Sequence, residues 1–136
     1  MNIFDSLPIC ALIDRKYFAV HGGISPNCKY IKEIQEINRF RETPAKGELC
    51  DFLWSDPVNA FCDSWKPNRV RQCSYFFGID QAKGFLNRNS LKLIIRGHEV
   101  EKDGFKYQKN NGVPLTLTVF SAPNYGDVYN NKGCVA

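Results

Sequence analysis

Two stretches, Lys16-Tyr17-Phe18-Ala19-Val20-His21-Gly22-Gly23 (16–23) and Leu91-Lys92-Leu93-Ile94-Ile95-Arg96-Gly97-His98 (91–98), share one pattern that decides the fold class. Each is an apolar run of strand length that gives way to a glycine-bearing loop carrying a histidine. His21 and His98 are the only histidines in the sequence. In open α/β sheets, sites gather just past the carboxyl ends of strands, because strand ends converge there while the loops vary. Glycine lets backbone pass close to a bound group, and a neutral imidazole is a common metal ligand. The ordinary alternative is a pair of satisfied surface histidines, and spacing alone leaves both open.

Upstream, Pro8–Ile13 (PICALI) is a second apolar run, joined to 16–20 by Asp14-Arg15, which reads as a hairpin. The stretch His21–Pro26 holds two glycines and a proline, which forbid continuing a strand or a helix. From Tyr30 to Phe40, Ile31, Ile34, Ile37 and Phe40 recur every three residues, which predicts a short amphipathic helix. Glu42–Gly47 reads as a loop, Leu49–Trp54 as a short helix halting at Asp56-Pro57, and Asn59–Asn68 as a surface excursion. Val70–Phe77 reads as a strand, with Asp80 as the cap of a helix running to about Asn89. Phe105–Tyr107 and Pro114–Phe120 add two strands broken by the Asn110-Asn111-Gly112 turn. The expected class is α/β, with at least five strands and two or three helices.

Composition narrows the class without naming an activity. The 136 residues are 43% hydrophobic and 13% aromatic, too apolar for a disordered chain and near the size of one domain. No apolar run approaches the ~20 residues that span a bilayer, and the start lacks the features of a secretory signal, so no membrane association is expected. Basic residues outnumber acidic ones in both halves, seven to six over 1–50 and eleven to eight over 51–136, with no Lys/Arg block. Nucleic acid is therefore not the expected partner. The six cysteines at 10, 28, 50, 62, 73 and 134 show no Cys-x-x-Cys spacing. They read as reduced thiols of a cytoplasmic protein, with a disulfide framework as the minor alternative.

Two further groups stand at strand edges. Arg71 precedes an apolar run and can offer its guanidinium fork to an oxyanion, phosphate above all, or remain a surface cation. Tyr125, after Pro123-Asn124, can present a phenol to a pocket or simply pack. From spacing alone these residues allow a metal and anion site on an α/β sheet.

The residues themselves resemble a known family. His21-Gly22-Gly23-Ile24-Ser25-Pro26, Leu53-Trp54-Ser55-Asp56-Pro57, Arg71 before Ser74-Tyr75-Phe76, Arg96-Gly97-His98-Glu99 and Ser121-Ala122-Pro123-Asn124-Tyr125 come in this order. Together they resemble the PPP family of metal-dependent protein serine/threonine phosphatases. The nearest branch is calcineurin, through Arg39-Phe40, Leu49-Cys50-Asp51, Val70–Tyr75 and Asp127–Lys132. The family usually has Ala where Gly97 stands.

The resemblance implies a calcineurin-like metallophosphoesterase β-sandwich flanked by helices, of which 1–136 would be the C-terminal portion, a single partial domain. It implies that His21 and His98 ligate one of two catalytic metals (manganese, or iron and zinc). Arg71 would bind substrate phosphate, Arg96 would help bind it, and Tyr125 would line the catalytic site. The family motifs GDxHG, GDxVDRG and GNHE are absent from this sequence. The expected activity is two-metal hydrolysis of phosphoserine and phosphothreonine proteins, carried here by an incomplete catalytic domain that is inactive alone. A non-catalytic phosphate- or partner-binding module is the alternative. A regulatory subunit and calmodulin are the partners implied for the parent protein.

Overall fold

The computed structural model describes residues 3–60 and 64–136. Strands β1 (Cys10–Ile13) and β2 (Tyr17–Val20) form the expected antiparallel hairpin. Asp14 and Arg15 at the turn both take positive φ, which lets a two-residue connection close without glycine. Downstream come α1 (Ile31–Ile34), α2 (Glu48–Trp54), β3 (Asp56–Pro57), β4 (Lys66–Pro67), β5 (Tyr75–Phe77) and α3 (Ile79–Arg88). Strands β6 (Leu93–Arg96), β7 (Phe105–Asn110) and β8 (Val113–Val119) complete the set.

Five strands make one mixed sheet in the order β1-β2-β6-β8-β7, and β3, β5 and β4 make a second, smaller one. In the large sheet β2, β6 and β8 run parallel, so their carboxyl ends open on the same edge. Phe18 and Ile94 of the large sheet, Phe52 of α2, Phe77 of β5 and Phe85 of α3 are all essentially inaccessible. Phe18 packs on Phe85 and Phe52 with ring centroids 5.2 and 6.3 Å apart. Buried Gln108 bridges the sheets: its amide donates to the Val58 and Phe77 carbonyls at 2.8 and 3.3 Å, and it accepts from Thr116 at 2.9 Å. A buried amide with these bonds made stabilises the junction, whereas an unpaired one would cost free energy.

Three expected elements come out differently. The helix expected over 30–40 is a single turn, because the Asn38 side chain accepts from the Phe40 amide (3.1 Å) and offers the backbone an alternative to the helix ladder. The strand expected over 70–77 starts only at Tyr75, since Gln72 and Ser74 sit at φ +60° and +59° and bend the chain before it. Asp80 lies in the first turn of α3 and is not its cap; Gly78 holds that position, and Gln81 reaches back to its amide at 2.9 Å. The excursion over 59–68 returns through β4, and Trp65 packs against the core. The five described cysteines are free thiols, while Cys62 lies outside the described residues. Among the described residues no helix is long and apolar enough to cross a membrane.

The glycines of the two histidine loops differ in what they permit. A Cβ on Gly22 would stand 2.5–2.7 Å from the backbone of Leu53 and Trp54, where nothing can swing aside. A Cβ on Gly97 would meet only the Val119 carbonyl at 3.7 Å. In urea titrations, Gly22→Ala should therefore destabilise the chain by about 1–3 kcal/mol. Gly97→Ala should stabilise it by about 0.4–1 kcal/mol through the unfolded state.

Candidate functional site

Parallel register brings the two histidines together. Val20 of β2 lies opposite Arg96 of β6, and one residue later the Gly97 amide donates to the His21 carbonyl at 3.1 Å. His98 follows at φ +64°, a left-handed conformation that costs a non-glycine residue roughly 1–2 kcal/mol and turns its ring back toward His21. His21 Nε2 and His98 Nδ1 end 3.0 Å apart, and Trp54 packs edge-on against the His98 ring at 5.1 Å. Burial, then the charges of Arg96 and Arg71, lower the His21 pKa, with Asp56 opposing. Burial and the same two cations, Arg71 foremost, push His98 down to about 4. Both rings are neutral near pH 7.

This pair fits a metal ion. Two ring nitrogens, each ~2.0–2.1 Å from one ion at angles between roughly 90° and 110°, lie about 2.9–3.4 Å apart, and the observed 3.0 Å falls in that span. Neutral imidazoles keep the lone pairs that ligation needs. Among the described residues no group of three or more His, Cys, Asp or Glu could hold an ion, so the pair supplies part of a shell. His98 Nε2 is buried with no hydrogen-bond partner among the described residues.

Arg71 enters the same cleft from the turn before β5. Its Nε donates to Asp56 Oδ2 at 2.9 Å, and its Nη2 reaches Asp56 Oδ1 at 3.5 Å and the His98 carbonyl at 3.3 Å. Nη1 makes no hydrogen bond among the described residues. His21, Arg71, His98, Phe120, Tyr125 and Tyr129 line an open cleft of about 560 Å³. Tyr125 is half exposed on the rim, its ring against Phe120 at 5.2 Å and Tyr129 at 6.1 Å. Its amide donates to buried Asn131 at 2.9 Å.

Arg96 departs from the expectation that it helps bind phosphate. Its side chain has no exposed surface, and Nε donates to the Gly22 carbonyl at 2.6 Å. Nη1 donates to Glu99 at 2.7 Å, and Nη2 donates to Asp56 at 2.8 Å and the Ser55 carbonyl at 3.3 Å. Every nitrogen of the fork is committed to protein acceptors, so Arg96 lies beneath the cleft and not on its wall.

Sequence reasoning missed two carboxylates. Asp56 opens β3, is 2% exposed, and accepts from Asn68 (2.8 Å), Arg71 and Arg96. Burial raises its carboxyl pKa, but the bonds from Arg71 and Asn68 and the charge of Arg96 outweigh burial and hold it below the usual range. Asp51 on α2 accepts from Ser25 at 2.6 Å and Ser74 at 2.7 Å, joining the loop after His21 to the turn after Arg71. The only sequence signal for either was a place in a quoted motif, Leu49-Cys50-Asp51 or Leu53–Pro57.

The calcineurin-like phosphoesterase family matches residues 1–102. The chain is 44% identical, over 97% of its length, to the serine/threonine-protein phosphatase 2B catalytic subunit A1 of Saccharomyces cerevisiae, and spans 27% of that protein. It is 42% identical, over 91% of its length, to the serine/threonine-protein phosphatase 4 catalytic subunit of Kluyveromyces lactis, and spans 38% of it. Among solved structures it is similar to a Saccharomyces cerevisiae protein serine/threonine phosphatase described as resembling human phosphatase PP5. That match has a TM-score of 0.83 and 35% identity, and covers 96% of this chain and 39% of that one. The chain thus spans roughly a quarter to two fifths of the relatives it matches.

Zinc titration tests the imidazole pair. His21→Ala and His98→Ala should each weaken zinc binding at least tenfold by calorimetry. Protons compete for these nitrogens only below their lowered pKa values. Affinity should therefore begin to fall only at a pH below 6.5, the ordinary histidine value, and the His98 contribution should be lost as pH falls through about 4.

Proposed function

This chain belongs to the calcineurin-like phosphoesterase family, and on that premise we propose that it carries one side of a protein serine/threonine phosphatase site. The observation that carries this reading is a single cleft lined by two mutually facing imidazoles and by Arg71, whose Nη1 makes no hydrogen bond among the described residues. The substrates in this reading are proteins bearing phosphoserine or phosphothreonine, a class supported by the names of the phosphatase 2B and 4 relatives. Of the expected ions, an imidazole pair suits iron or zinc better than manganese. The words "catalytic subunit" in those names support a regulatory subunit as a partner, and calmodulin belongs to the same reading.

His21 and His98 would hold one ion, each neutral imidazole giving it the lone pair of the facing nitrogen and keeping its one proton on the other. A bound ion polarises a phosphoryl oxygen and lowers the pKa of a bound water. Arg71 donates from Nη1 to a phosphoryl oxygen, and its charge counts for more as negative charge grows on the transferring group. The remaining Arg71 donors already rest on Asp56 and the His98 carbonyl, so the fork meets phosphate without rearranging. Tyr125 and Tyr129 give the cleft an aromatic wall for the side chain that bears the phosphate.

For the chain by itself, a second reading has one observation in its favour: two metal ligands do not complete a site. Alone, it should hydrolyse a phosphoserine peptide negligibly with Mn²⁺ present while still binding inorganic phosphate. Joined to the GDxHG, GDxVDRG and GNHE segments, it should become a phosphatase. In that longer enzyme Arg71→Ala should lower kcat/KM by about two to three orders of magnitude, with metal content unchanged. Arg71→Lys should recover only part, because an ammonium cannot make the forked contact. Hydrolysis within about twofold of the unmutated enzyme in Arg71→Ala would remove Arg71 from the site.

A further inference from the structure

We propose that Asp56 is the positioning residue that aims Arg71 at bound phosphate, and that Arg96 reaches Arg71 through Asp56. The proposal rests on reading Arg71 as the phosphate ligand. Arg71 lies in the turn before β5, next to Gln72 at positive φ, so strand pairing does not hold its side chain. What holds it is one carboxylate. Asp56 engages Nε at 2.9 Å and Nη2 at 3.5 Å, and Nη2 is shared with the His98 carbonyl at 3.3 Å. Contacts on two of the three nitrogens fix the plane of the guanidinium, while Nη1 makes no hydrogen bond among the described residues and Arg71 lines the cleft with Tyr125 and the histidines.

Asp56 is placed rigidly enough to do this. It pairs with Phe76 across β3 and β5, and Asn68 donates to its Oδ2 at 2.8 Å. The Asn68 Oδ1 in turn accepts the Arg71 amide at 3.1 Å, so one asparagine holds both the carboxylate and the backbone of the residue it orients. On the far side the inaccessible Arg96 donates to Oδ1 at 2.8 Å. One carboxylate thus serves two guanidiniums, and Arg71 is not neutralised by a partner of its own. A carboxylate clamped by cations on both sides has one place to stand, which is what a positioning group requires.

The test measures inorganic phosphate binding to this chain by NMR. Arg71→Ala should weaken it at least tenfold; unchanged affinity there would overturn the phosphate reading of Arg71 itself. With that control met, Asp56→Asn should weaken binding at least fivefold, and adding it to Arg71→Ala should cause no further loss, because it acts through Arg71. Affinity within twofold in Asp56→Asn, or an undiminished further loss in the double variant, would overturn the proposal. Removing the carboxylate strands buried Arg96, so Asp56→Glu, which keeps the charge, replaces the amide if that variant does not fold, with the same loss expected. A measurement on the unmutated chain needs no variant. The Arg71 Nε–H should exchange with water much more slowly than that of exposed Arg15, with and without phosphate. Equal exchange rates would show that Asp56 does not hold Arg71 in solution, and the proposal would fall.

Discussion

The structure depends on a buried cation. Arg96 ends β6 with no exposed side-chain surface, and its three nitrogens reach Gly22 in the loop after β2, Glu99 beyond His98, and Ser55 with Asp56 at the end of α2 and the start of β3. Burial lowers its pKa, while Glu99 and Asp56 work against that shift. An uncompensated guanidinium in this position would cost several kcal/mol. The fold can bury Arg96 only while all four segments keep their places, so satisfying one charge holds the histidine loops against the floor that carries Asp56.

That constraint explains why the histidine side and the Arg71 side of the cleft share supports. The His21 loop is fixed by Arg96 through Gly22 and by Asp51 through Ser25. The Arg71 turn is fixed by Asp56 directly and by Asp51 through Ser74. Burial raises the Asp51 pKa, against two hydroxyl donors that favour its charged form. A buried carboxylate held by neutral donors is costly as a source of stability alone. Its place is understood from geometry, since it joins the His21 loop to the Arg71 turn, and both face one cleft.

The parts legible in the sequence were those governed by local pattern. Short apolar runs located β1, β2, β6 and β8, and the change from strand to glycine placed His21 and His98 just past strand ends before any pairing was known. What stayed hidden depended on tertiary competition. Arg71 was read as the start of a strand because Val70–Phe77 is apolar enough, yet Gln72 and Ser74 take left-handed conformations that only their contacts stabilise. Arg96 was read as a phosphate ligand because sequence shows the residue next to His98 but not which way its fork points. Asp56, ahead of a proline at a helix end, reads as punctuation; its four donors arrive from residues 12 to 40 positions away.

The division of ligands follows from strand order. Parallel strands β2, β6 and β8 can deliver only loops from their carboxyl ends to this edge, and those loops carry His21, His98 and Tyr125. Strand β1 is the free edge of the sheet next to β2, and its exposed Leu12 and Ile13, opposite Phe18 and Tyr17, leave apolar surface along that edge. The curated phosphatase 2B relative has almost four times the length this chain spans. Two nitrogens at 3.0 Å and one forked cation therefore face one cleft, brought there by the ends of parallel strands and the turn before β5. The floor of that cleft is held by the ion pairs of Arg71 and Arg96 with the one buried carboxylate of Asp56.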